Sequence, residues 1–99
     1  MTAIKSIKLE GRIAATPLGI NFLRAEWWGD LSRFVVIRYS ERDGIEGSLR
    51  MDIDKRAFID HIADPAKDEA VQSQALPIWE ILAKLRNKHD WSSARAQGL

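Results

Sequence analysis

The sequence predicts an α+β fold: a four-stranded antiparallel meander followed by two C-terminal helices, the second kinked or broken near Pro77. Three observations carry this. Residues 6–13 and 45–53 alternate apolar and polar with period two, the mark of half-buried strands. Between them, 34–41 (FVVIRYSE) is rich in β-branched and aromatic residues, and Asp43-Gly44 behind it is a hairpin signal. After Asp54 the apolar spacing becomes helical. Strands first and helices after place the helices on one face of an antiparallel sheet.

In 6–13, Ile7, Leu9, Gly11 and Ile13 take one face and Ser6, Lys8, Glu10 and Arg12 the other. Residues 14–19, with Thr16-Pro17 and Gly19, form a turn. Residues 20–28 fit two patterns. A helix would start at Thr16-Pro17 and stop at Gly29. A strand would send Leu23, Ala25 and Trp27 one way and Phe22, Arg24, Glu26 and Trp28 the other; Gly19 and Asn21, poor helix formers, favour it. A turn at 29–32 leads into 34–41, where Phe34 and Val36 oppose Val35, Ile37 and Tyr39. Both faces are apolar, so this strand is central.

The next hairpin can close in two ways that differ by one residue, and that residue flips the partner face. A two-residue turn on Asp43-Gly44 pairs Val36 with Met51. A three-residue turn with left-handed Gly44 pairs Glu41 with Ile45 and Ile37 with Leu49. The second is favoured, because it puts Val35, Ile37 and Tyr39 beside Gly47, Leu49 and Met51.

The first helix is expected to start at an Asp54 N-cap and to bury Phe58, Ile59 and Ile62. Asp64-Pro65 ends it and opens the second, whose buried face is Val71, Ile78, Ile81, Leu82 and Leu85. Pro77 splits that helix into pieces near 65–76 and 77–89. Residues 1–90 make a single domain, and 91–99 a loose tail.

At 99 residues, 45% of them hydrophobic, the chain suits one modest core. An 11.2 kDa chain hides about 65% of its unfolded surface. Fifteen Lys and Arg against 14 Asp and Glu leave a net charge of +1, so no global field draws it to nucleic acid or anionic lipid. The absence of cysteine excludes disulfides, thiolate nucleophiles and the usual zinc clusters. No secretory signal is evident after Met1, and no apolar run approaches the ~18 residues of a membrane span. The expectation is a soluble cytoplasmic protein with no membrane contact.

No residues assemble a base, an orienter and an oxyanion hole, and no glycine-rich phosphate loop is present, so no enzyme, cofactor or metal is expected. His61 lies near Asp60 and Asp64, but three loosely placed ligands fall short of a metal site. His89, at a helix end, suits the negative end of the dipole.

Two aromatic rings left wet would forgo several kcal/mol, so the second sheet face needs a cover. The reading is a small non-catalytic protein-interaction module, such as an accessory subunit, adaptor or inhibitor. It acts through an apolar sheet face and forms a homodimer. The expected partner-binding residues are Trp27, Trp28, Phe34, Val36, Arg38, Arg50 and Trp91. The alternative is single-stranded nucleic-acid binding by strand arginines (Arg24, Arg33, Arg38, Arg42 and Arg50) with Trp27, Trp28 and Tyr39. Carboxylates interleaved with those arginines argue for cross-strand ion pairs instead.

Overall fold

The computed structural model describes residues 5–27 and 33–89, with side chains as far as Lys84. Five antiparallel strands lie in chain order: β1 (Lys5–Lys8), β2 (Asn21–Trp27), β3 (Phe34–Ser40), β4 (Glu46–Asp52) and the short β5 (Ala57–Phe58). Helices α1 (Pro65–Gln72) and α2 (Ala75–His89) follow. This is the expected α+β meander, and 20–28 is indeed a strand rather than a helix.

The three-residue turn is the one that forms. Glu41 N donates to Ile45 O at 2.7 Å, Gly44 N donates to Glu41 O at 2.9 Å, and Gly44 has φ +89°. Ile37 therefore faces Leu49. The same turn precedes β2: Thr16 N donates to Ile20 O at 3.1 Å, Gly19 N donates to Thr16 O at 2.8 Å, and Gly19 has φ +80°. Both use glycine where an L side chain would be strained.

Two strands depart from simple alternation. The first stops at Lys8, four residues long, and the chain turns at Gly11, where φ is +84°. In β2 a bulge at Leu23 shifts the phase, and Leu23 O accepts from both Leu9 N and Glu10 N at 2.9 and 3.2 Å. Phe22, Ala25 and Trp27 thereby all reach the core, although strict alternation separates Phe22 from the other two.

The core lies between one sheet face and the helices. Ile7, Ala25, Ile37 and Leu49 form one cross-strand row, and Val35, Met51 and Phe58 another. Val71, Ala75, Ile78 and Leu82 cover them. Each fully buried aliphatic side chain contributes about 1.5–3 kcal/mol.

The expected helix from Asp54 does not form. The buried Asp52 carboxylate accepts from Asp54 N at 3.0 Å and Lys55 N at 3.1 Å, folding the chain into a turn with Arg56 at φ 58°. Ala57 and Phe58 then pair with Asp52 and Met51. Consecutive Phe58 and Ile59 are accommodated by strand alternation, one inward and one outward, and not by a helical stripe. Trp79 ties α2 to this turn: its Nε1 donates to Ile53 O at 3.1 Å, and the Arg56 guanidinium sits 3.9 Å from its ring centroid.

Asp64 caps α1 as expected, accepting from Ala66 N and Lys67 N, with Pro65 in the first turn. The helix breaks at Ser73-Gln74, upstream of Pro77. In a continuous helix the Pro77 ring would strike the carbonyl four residues back, at Ser73. In the first turn of α2 its missing N–H costs nothing.

Tyr39 lies across Gly47: a Cβ there would sit 2.6 Å from Tyr39 Cζ. Tyr39 is buried, so displacing its ring would disturb the packing around it. Gly47→Ala is therefore expected to destabilise the fold by about 1–3 kcal/mol, measured by urea unfolding.

Candidate functional site

The helices cover one face of the sheet. The other, called here the open face, is built from the alternate residues of β1 to β4. Register places Ser6, Glu26, Val36 and Arg50 in one row, and Lys8, Arg24, Arg38 and Ser48 in the next. Phe34 lies beside Asp52 at one end. Ile59, whose N–H bonds to Arg50 O at 2.9 Å, extends the first row.

Carboxylates hold the arginines. Glu26, only 8% exposed, accepts from Arg38 Nε at 2.8 Å and lies 3.9 Å from an Arg24 nitrogen. This carboxylate sits beside Arg24 and Arg38, which are direct cross-strand neighbours and would otherwise repel. Asp52 accepts from Arg33 Nη2 at 2.9 Å and Nε at 3.0 Å. Asp60 takes Arg50 three ways: from Nη2 at 2.9 Å, from Nε at 3.2 Å and from the backbone N–H at 2.8 Å. The Arg33 hydrogen bond holds the Asp52 carboxyl below its ordinary range, and Arg50 does the same for Asp60.

The apolar part of the face is small. Phe34 is 46% exposed, with the Arg33 guanidinium 5.6 Å from its ring centroid. Val36 is half-buried between Glu26 and Arg50, and Ile59 is exposed. Two shallow concavities of about 450 and 380 Å³ cross the face and share Leu23 and Arg24. Glu26, Arg38 and Ser48 line the first, Ser6 and Lys8 the second.

Of the sequence-predicted contact residues, Phe34, Val36, Arg38 and Arg50 come together here. Trp27 is separated from them: it is 5% exposed, in the core beneath the opposite face. Trp28, Trp91 and the 91–99 tail lie outside the described residues. Sequence reading puts Glu26 and Asp52 among the carboxylates expected to pair with the strand arginines, as they do with Arg38 and Arg33, but it does not bring Asp60 or Ile59 to this face. Glu26 and Asp52 alternate correctly for this face, but Asp60 and Ile59 reach it only because β5 exists.

The Asp60, His61, Asp64 group is split between separate tasks. Asp60 holds Arg50, Asp64 caps α1, and His61 Nδ1 pairs with Asp68 Oδ2 at 3.1 Å. Among the described residues no three His, Asp or Glu side chains converge as metal ligands. No described helix is long and apolar enough to cross a membrane. Compared with known proteins, the chain matches no family model, no curated protein sequence and no solved structure.

Two outcomes are expected. Asp52, Asp60 and Asp68 all titrate below the ordinary 3.8 in the fold, so the stability they confer is complete above that value. It is lost as pH falls through the lower folded values. Urea unfolding at about pH 6 and about pH 3 should show this loss, and Asp52→Asn should lower stability at the higher pH while narrowing the difference. Glu26→Ala should cost about 1–2 kcal/mol, because Arg24 and Arg38 retain water. It should also increase retention on a heparin resin at low salt relative to the native chain.

Proposed function

We propose that the chain is a non-catalytic protein-interaction module of the cytoplasm, which docks another protein chain on its open sheet face. The observation that carries this is Phe34: a large ring 46% exposed on a sheet face, with half-buried Val36 two residues along the same strand, exposed Ile59 beyond Arg50, and fixed ion pairs around them. An apolar centre inside a polar rim is the usual anatomy of a protein contact. The rim arginines are already oriented by Glu26, Asp52 and Asp60, so little side-chain freedom remains to be lost on binding.

One observation favours the second reading, single-stranded nucleic acid. Lys8, Arg24 and Arg38 line up across three strands. Glu26 occupies the two arginines, and Glu10 and Glu46 line the same concavities, so the row offers little net charge to a phosphate backbone. Fluorescence anisotropy with a labelled oligonucleotide at low salt should show no binding. Binding that weakens steeply as salt rises would move the conclusion to nucleic acid.

The docking reading is tested with a photo-crosslinking phenylalanine analogue placed at Phe34 in one preparation and at Leu76 in another. Leu76 is 50% exposed on α2, away from the face. A protein adduct should form from Phe34 and not from Leu76. That protein, once purified, should bind the Phe34→Glu variant about tenfold or more weakly. Equal adducts from both positions, or intact binding by the variant, would overturn the reading.

A further inference from the structure

The outer edge of β4 carries backbone groups that the fold leaves unpaired. Arg50 donates its N–H to Asp60, and its carbonyl accepts from Ile59 N, so both point away from β3. Strand backbone alternates, so Glu46 and Ser48 turn their N–H and C=O groups outward too. Ile45, out of phase with them, turns its carbonyl inward to Glu41 N. β5 pairs only Met51 and Asp52, and Asp60 stops the ladder at Arg50. Glu46 and Ser48 are exposed, and among the described residues their outward groups have no partner. Next to them Ile45 is 59% exposed, the most exposed large hydrophobic of the described residues.

We propose that two copies of this chain pair antiparallel along this edge, with the two-fold axis at Gly47, joining their sheets into one. The edge is complementary to itself in that register. Glu46 faces the partner's Ser48 and Ser48 the partner's Glu46, closing two reciprocal pairs of backbone hydrogen bonds. Each Ser48 hydroxyl is placed to donate to a Glu46 carboxylate, and no like charges are opposed. Gly47 faces the partner's Gly47, so the strands meet without a side-chain clash. Ile45 falls opposite the partner's Leu49, so part of its exposed side chain is covered by the partner strand. From Gly44 the chain turns toward β3, which keeps the hairpin tip clear of Asp60 across the axis. The opposite edge of the sheet, β1, carries Lys5 and Lys8, charges that discourage strand addition there.

This goes beyond the docking reading and does not need it. A two-fold axis normal to the sheet keeps both open faces on one side, with Phe34, Val36 and Arg38 uncovered. Sedimentation equilibrium of the full chain over about a hundredfold range of concentration should show a reversible dimer. Ser48→Pro removes an outward donor and Ile45→Lys puts a charge at the edge; each should raise the dissociation constant about tenfold or more. Phe34→Glu should leave it unchanged. Ile45 is exposed, so Ile45→Lys keeps the fold even if Ser48→Pro does not, and circular dichroism checks this. A chain that stays monomeric throughout, or a dimer weakened by Phe34→Glu and not by Ile45→Lys, would overturn the proposal. Failure of the docking reading looks different: a bound protein that tolerates Phe34→Glu, whatever the mass of the free chain.

Discussion

A left-handed glycine sets the register on which the whole sheet depends. With Gly44 at φ +89°, Glu41 meets Ile45, and every pair down β3 and β4 follows. Val35, Ile37 and Tyr39 are committed to the core, and Phe34, Val36 and Arg38 to the other side. A slip of one residue would bring Arg50 to the side of Ile37 and bury its charge, at a cost of several kcal/mol. Tyr39 adds a second constraint, because its ring fits only over a residue without Cβ, and Gly47 supplies one. The identical turn at Gly19 leans on this one. Arg42 packs so close to Gly19 that a Cβ there would lie 2.8 Å from its Nε. Arg42 thus links the two turns, its Nη2 also donating to Pro17 O at 3.4 Å.

The composition of 20–41 promises more oily surface than the folded sheet leaves open. Much of that apolar material goes inward: Trp27 and Phe22 are both buried, the second through the bulge at Leu23. What remains outside is organised by carboxylates. Glu26 and Asp52 are among the few buried polar residues, and each satisfies its charge on arginines that keep one side in water. Burying a carboxylate against a half-solvated guanidinium limits the desolvation cost while fixing the guanidinium in place. The face is thus a small apolar centre in a rigid charged frame, which suits a specific protein contact better than a flexible polyanion.

Much of this was legible because short-range rules decide it. Periodicity located β3 and β4, glycine chemistry chose their turn, and Asp64-Pro65 marked the start of α1. The break at Ser73-Gln74 was legible as an event, displaced because proline acts on the residue four positions earlier. The misread stretch is 54–62, where a tertiary interaction overrides a local pattern. Asp52, already held by Arg33, captures the next two free N–H groups and turns the chain before a helix can nucleate. Nothing in the spacing of Phe58, Ile59 and Ile62 reveals that, since it depends on a cation nineteen residues upstream. The same holds for the site. Phe34, Val36, Arg38 and Arg50 share a face by parity alone, whereas Asp60 and Ile59 arrive through β5. Trp27 was expected at the contact surface, whereas its parity with Ala25, which faces Ile37, puts it in the core.

The short fifth strand then explains the shape of both surfaces. Had β5 run the full length of β4, it would have covered Glu46 and Ser48 and moved the exposed edge one strand outward. It ends because Asp60 offers a carboxylate where a continuing strand would offer a carbonyl, and Arg50 locks that carboxylate from the open face. One arginine therefore does two things. Its backbone N–H ends the ladder through Asp60, and its guanidinium becomes part of the frame around Phe34. The edge and the face are coupled through Arg50 and Asp60. A change at either residue would alter strand pairing and face geometry together, while changes at Ile45 or Phe34 act on one surface only. Each surface can therefore be altered without disturbing the other.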